Sequence, residues 1–129
     1  MRRMVLHAVL WSAAASLRLC GADAKKDLGQ AQRGLEIFSQ CVACHRERAT
    51  DVPNPGPDLR GVFGRPAGSM LGFRYSRALR NARRSWTGHA LDAFIADPQL
   101  AVPGNTMPFP GIADAAERSD LIAYLKTLR

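Results

Sequence analysis

Apolar residues along this chain fall into a few short helical stripes, separated by stretches rich in proline and glycine. After a polar lead-in at 25–30, Ala31, Leu35 and Phe38 recur at the three- and four-residue spacing that places side chains on one helix face. Gly34 falls inside that stripe, where glycine costs up to about 1 kcal/mol relative to alanine. Either a second helix packs closely there, or the glycine is a tolerated weak spot. Ser76 can cap a short helix over 76–82, and Thr87 a further one in which Leu91, Phe94 and Ile95 share a face before Pro98 ends it. Asp114, with Glu117 three residues on, is an aspartate version of a capping box. It opens a last helix whose Leu121, Ile122, Leu125 and Leu128 form one stripe. No stretch alternates as a strand does, and no internal repeat is present, so the expected class is all-α.

Between these elements run two long loops. Residues 46–74 hold four of the eight prolines and no apolar period; residues 98–111 form a second loop containing Met107. Loops of that length in a compact domain need something to wrap, and a flat cofactor is such an object.

The amino end reads differently from the rest. Met1-Arg2-Arg3 is a basic start, residues 4–17 are largely apolar, and Ala22-Asp23-Ala24 offers a small-x-small cleavage site before Lys25. Residues 1–24 are therefore expected to be a secretory signal peptide and residues 25–129 the folded domain, in the periplasm. The apolar run is short and broken by His7, Ser12 and Ser16, which argues against stable membrane insertion. A lipid anchor at Cys20 fits poorly, because Leu19 precedes it where a small residue is expected. Cleavage would leave about 105 residues, a length that supports only a modest core unless a cofactor adds to it.

The whole chain carries a net charge of +7, and the excess persists after removal of the signal. Nucleic acid is rejected as the partner, since export puts the chain in the wrong place and no basic module interleaved with aromatics occurs. An acidic face on a redox protein suits the charge better.

The most specific chemistry is carried by Cys41-Val42-Ala43-Cys44-His45. Two thiols three positions apart on one helical turn can reach the two vinyl groups along one porphyrin edge, and the histidine that follows can ligate the iron. A zinc site would need a fourth ligand that only Cys20 could supply, and a redox dithiol would be expected in a βαβ setting that this chain lacks. Covalent attachment of one haem c is the expectation. The sixth iron position then has three candidates: Met70, Met107 and His89. Met107 lies in a loop stiffened by Pro103, Pro108 and Pro110, which would present its sulfur at little entropic cost.

Over nearly all of residues 25–129 the chain resembles the class I cytochromes c, the mitochondrial protein and its soluble bacterial relatives. Gly34 and Phe38 match the small and aromatic positions of that family's first helix, which crosses the last helix near Leu121-Ile122-Ala123-Tyr124-Leu125. Residues 56–65 resemble its proximal loop, and the resemblance implies that the Pro57 carbonyl accepts a hydrogen bond from His45. It further implies that Arg65, Tyr75 and Trp86 line the propionate side of the haem and that Asn105 belongs to its surroundings. Pro103-Gly104-Asn105-Thr106-Met107 resembles the axial methionine loop, and Met107 stands 62 residues after His45, as in the mitochondrial proteins.

Departures accompany the match. Phe94 stands where the mitochondrial proteins carry a tyrosine, and Asn105 and Thr106 replace a threonine and a lysine. The lysine ring of those proteins is thin here, and positive charge is mostly arginine, with a run at Arg74, Arg77, Arg80, Arg83 and Arg84 that reads as a solvated face.

The expectation is thus an all-α cytochrome c fold, several helices and long loops wrapped around one covalently bound haem with His45 and Met107 as axial ligands. It would act as a monomeric, non-enzymatic, one-electron carrier of a respiratory or photosynthetic chain. Its donor and acceptor would be redox proteins such as a bc1-type complex, a terminal oxidase or a periplasmic reductase. Two other readings fit the same residues: a haem subunit of a larger periplasmic oxidoreductase, and a peroxidase-like or gas-binding haem protein. Ready carbon monoxide binding by the ferrous form would mark the last.

Overall fold

The computed structural model describes the backbone of residues 13–47 and 53–129, with side chains from residue 23 onward. Residues 1–12 of the expected signal peptide, and positions 48–52 of the first loop, lie outside the described residues. Five helices follow in order: α1 (Ala13–Phe38), α2 (Arg77–Arg80), α3 (Gly88–Ala96), α4 (Pro98–Ala101) and α5 (Ala115–Leu125). Among the described residues the only extended pairing is an isolated antiparallel bridge between Pro66 and Ser85.

Capping chemistry sets several of the helix starts. The Ser76 hydroxyl accepts from the Leu79 N–H at 3.2 Å, Thr87 accepts from Ala90 at 3.2 Å, and the Asp114 carboxylate takes both the Ala116 and Glu117 N–H groups at 2.7 and 2.9 Å. Each satisfies donors that the first helical turn leaves without a partner.

Three elements differ from the sequence expectation. The polar segment 25–30 is not a lead-in but part of α1: Lys25, Lys26, Leu28 and Gln30 are good helix formers, no proline interrupts them, and the helix tolerates Asp27 and Gly29 among them. The loop at 98–111 begins with a single helical turn, α4. Pro98 sits at its first position, where the missing N–H goes unneeded, and Asp97 caps it by accepting from Leu100 at 3.0 Å. The short helix expected at 76–82 is present but covers only Arg77–Arg80.

The most extensive helix pair is α1 against α5. Gly34 is the reason the two axes can come so near: a Cβ there would lie 2.7 Å from the Tyr124 Cβ and overlap the Asp120 carbonyl. Close approach, rather than tolerance, therefore explains this glycine. The buried stripe of α1 is centred on Gly34 and Phe38, which is 1% exposed, while Leu35 turns outward and is 42% exposed. A bidentate pair between Arg33 and Asp120, at 2.6 and 2.9 Å, closes the edge of the crossing. Phe38, Leu121, Ile122 and Leu125 then join Leu91, Phe94, Ile95, Trp86 and Val62 in one apolar cluster. That cluster is a bowl, and its open side is the functional site.

Candidate functional site

One cavity, about 1150 Å³ of empty space including its mouth, lies between the inner faces of the helices and the two long loops. Its floor is core: Leu91, Phe94, Ile95, Leu121 and Leu125. Its rim carries the chemistry.

Past α1 the chain tightens. Cys41 N–H bonds to Phe38 O at 2.8 Å, and both Cys44 and His45 N–H groups bond back to Cys41 O, at 3.1 and 2.8 Å. This single turn places Cys41, Cys44 and His45 together on the cavity wall. Burial, and then the neighbouring Cys44, push the Cys41 thiol up to about 11. A reactive thiol is one whose pKa is depressed, so this environment does not activate Cys41.

His45 is held by its ring. Nδ1 stands 2.7 Å from the Pro57 carbonyl oxygen, which can only accept, so the proton resides on Nδ1 and Nε2 is left with its lone pair free. Burial pushes the imidazole below its usual pKa, the Pro57 carbonyl opposes that shift, and the Arg65 charge reinforces it. The result is a neutral ring, the form that ligates metals. Gly56 makes the arrangement possible, since a Cβ there would lie 2.7 Å from the ring Cε1 and 2.8 Å from the Cys44 carbonyl. Gly56 N–H also donates to that carbonyl at 2.8 Å. The need for a glycine at this position is not visible in a run that the sequence marks as loop and, by resemblance, as the proximal loop.

The cavity wall also includes Thr106, Met107, Pro108 and Phe109. Of the three candidates for the sixth position, Met107 alone lines the cavity; neither Met70 nor His89 does, and His89 is exposed. Arg65, Tyr75 and Trp86 form another part of the wall with Phe73, Ser76 and Leu79. Tyr75 and Trp86 are buried, Phe73 meets Tyr75 edge-on, and Trp86 tilts against Phe94. Arg65 spans from Arg60 O to Asp58 O through its two terminal nitrogens, at 2.8 and 2.9 Å, and its buried Nε has no partner. Asn105 is buried as well, but it stands behind the wall rather than on it, bonded to the chain that carries Met107.

A haem fits this set of groups. Its apolar faces match the floor, two unpaired thiols, a tautomer-fixed imidazole and the Met107 thioether all line the cavity, and the partnerless Arg65 Nε is a cationic donor for a carboxylate. An all-α bowl with these groups defines a protein that binds haem through thioether links and holds it for electron transfer.

Comparison with known proteins agrees. The cytochrome c family profile matches residues 31–129. Cytochrome c2 of Rhodomicrobium vannielii is 36% identical over 124 residues, covering 96% of this chain and 91% of that protein. Cytochrome c2 of Blastochloris viridis is 41% identical over 96 residues, 74% of this chain and 76% of its own length. The solved structure of cytochrome cH from Methylobacterium extorquens superposes with a TM-score of 0.70 at 41% identity, over 75% of this chain and 97% of that one. The chain belongs to the cytochrome c family. It is a mono-haem electron carrier with one covalently attached haem c, and it works with redox partners rather than as an enzyme.

Proposed function

We propose that Cys41 and Cys44 carry the thioether links, that His45 Nε2 and the Met107 sulfur are the two axial ligands, and that Arg65, Tyr75 and Trp86 enclose the carboxylate side. The bond between His45 Nδ1 and Pro57 O, at 2.7 Å, carries this reading, because it leaves Nε2 as the one ring atom free to bind a metal. When bound, haem supplies one iron that alternates between ferric and ferrous states, and a thioether opposite imidazole favours the ferrous one. The polypeptide contributes position and insulation. Pro57 keeps the imidazole in one tautomer, the floor excludes water, and no covalent bond changes as an electron enters or leaves.

The signal reading of residues 1–24 goes with a domain of residues 25–129 acting in the periplasm as a diffusing monomer. Its partners there would be a bc1-type complex, a terminal oxidase or a periplasmic reductase. Among the described residues no helix is long and apolar enough to cross a membrane.

The test is acid–acetone extraction of protein matured in a host with haem-attachment machinery, followed by the visible spectrum of Met107→Ala. Colour is expected to stay with the polypeptide, and the weak red ferric band of methionine ligation to vanish in the variant. Extraction of all colour overturns the thioether assignment; an unchanged band overturns Met107.

A further inference from the structure

Charge is spread unevenly along this chain. Although 22% of its residues are Asp, Glu, Lys or Arg, none falls within 37–44 or within 98–113. The first of these stretches ends with Cys41 and Cys44, and the second contains the 106–109 part of the cavity wall. Both bring that wall to the surface: Cys41, Cys44, Met107 and Phe109 are half-buried, and Thr106 and Pro108 are exposed. Among all the lining residues only Arg65 carries a charge, His45 being neutral, and its terminal nitrogens already donate to the Arg60 and Asp58 carbonyls.

The same two stretches show apolar side chains to water. Val42, between the two cysteines, is 54% exposed, and Leu100, in α4, is 78% exposed. Neither belongs to the apolar cluster of the core. The exposed arginines lie on other segments, and none of Arg74, Arg77, Arg83 and Arg84 is part of the cavity wall.

We infer, on the strength of the haem assignment proposed above, that the rim formed by 41–44 and 106–109 docks a redox protein whose own contact patch is apolar and uncharged. Electron tunnelling weakens steeply with distance, so a partner has to seat where the porphyrin edge tied to Cys41 and Cys44 comes nearest. A carboxylate pressed against this rim would lose its water and gain no cation in return. The net charge of +7 favours an acidic partner on sequence alone. The folded chain, however, keeps its exposed arginines off the wall, so an acidic face drawn to them would be held away from the rim. Apolar contact desolvates no charge on either side, and Val42, Pro108 and Phe109 supply it.

Amide shifts of the ferrous, haem-loaded protein, titrated with a cuprous blue copper protein, read this contact without electron transfer. One probe has an apolar, uncharged face over its copper; a second has an acidic patch. The apolar probe is expected to shift amides within 42–44 and 106–109 and none within 74–84. Raising salt from about 0.01 M to about 1 M, which shortens the screening length about tenfold, should change its affinity less than about twofold. Thr106→Lys and Thr106→Glu should each weaken that binding about tenfold, whatever the sign of the new charge. Exchange with the cupric probe, in which one electron passes from ferrous iron to copper, should slow to match. Glutamine at Arg74, Arg77, Arg83 and Arg84 should alter neither readout. Tighter binding of the acidic probe at low salt, lost with added salt and in the glutamine variant, overturns the inference and assigns an acidic partner. Absence of rim shifts with the apolar probe, or equal binding by the parent and both Thr106 variants, also overturns it. Rim shifts that follow only the protein's own concentration overturn it in favour of a second copy of this chain. Failure of the haem assignment shows separately, as extractable colour or a missing red ferric band in the parent before any probe is added.

Discussion

The side-chain oxygen of Asn105 accepts the backbone N–H of Met107 at 2.9 Å, while its amide nitrogen donates to Pro98 O at 2.7 Å and Val102 O at 2.9 Å. One buried amide thus ties the Met107 loop to both ends of α4, and Gln99 adds a bond from its side chain to the Asn105 carbonyl at 2.9 Å. The loop owes its shape to this junction as much as to its prolines.

Asn105→Ala leaves the Met107 N–H without its partner and takes one of two donors from the Pro98 and Val102 carbonyls, so a loss of about 1–3 kcal/mol in denaturant unfolding is expected. The red ferric band should also weaken at a lower pH than in the parent, because the Met107 backbone is no longer fixed. Asn105→Asp keeps the acceptor but turns a carboxylate toward two carbonyl oxygens. It should be less stable than the alanine variant at pH 7. A carboxyl so placed has a raised pKa in the folded state, so its stability returns as pH falls and the proton restores a donor.

Gly56→Ala acts on the His45 part of the wall. The added methyl meets both the His45 ring and the Cys44 carbonyl, so the imidazole must move off the Pro57 oxygen or the loop must lift. Overpacking of this kind costs about 1–3 kcal/mol. A lower yield of haem-loaded protein, with a shifted reduction potential in what survives, is the expected outcome. Potentiometric titration of the purified variant checks it.

Gly34→Ala should be damaging without touching the site. Its methyl meets the Asp120 backbone, which cannot swing aside as a flexible side chain would, so α1 and α5 must separate. A loss of at least about 1–3 kcal/mol is expected from thermal unfolding, with the parent's reduction potential retained in the folded fraction.

These positions show what could be read in the chain and what could not. Thr87, Asp114 and Ser76 announced their helices because capping is local chemistry, written within three residues of the helix start. Cys41, Cys44 and His45 announced the cofactor because covalent attachment demands fixed spacing. Leu35 misled, since helical spacing alone cannot say which side of Gly34 faces α5; that depends on where the second helix crosses. The resemblance implies only that Asn105 belongs to the cofactor's surroundings; its three bonds reach residues on both sides of it, and only the folded loop shows them. The Pro98 turn looks like loop in the sequence because proline is a stop signal inside a helix and a start signal at its first position, and only Asp97 capping it tells the two apart.

The pairing of Tyr124 with Glu47 gives the chain a sensitivity to alkali. The phenol donates to the Glu47 carboxylate at 2.5 Å, joining α5 to the segment just beyond His45. Burial first, then the hydrogen bond and the charge of Glu47, push the phenol up to about 12 from its ordinary 10. A tyrosine whose proton is held more tightly in the folded state adds stability that is complete below pH 10 and is lost as pH climbs toward 12. Discounted for the partial exposure of the side chain, this amounts to roughly 1 kcal/mol. Tyr124→Phe should therefore be somewhat less stable than the parent at pH 8 and should lose less between pH 10 and 12, so that the two unfolding curves converge. Denaturant midpoints measured at pH 8, 10 and 11.5 decide it. A constant gap between the two proteins across that range would mean that the hydroxyl contributes packing alone, with no part in the alkaline response.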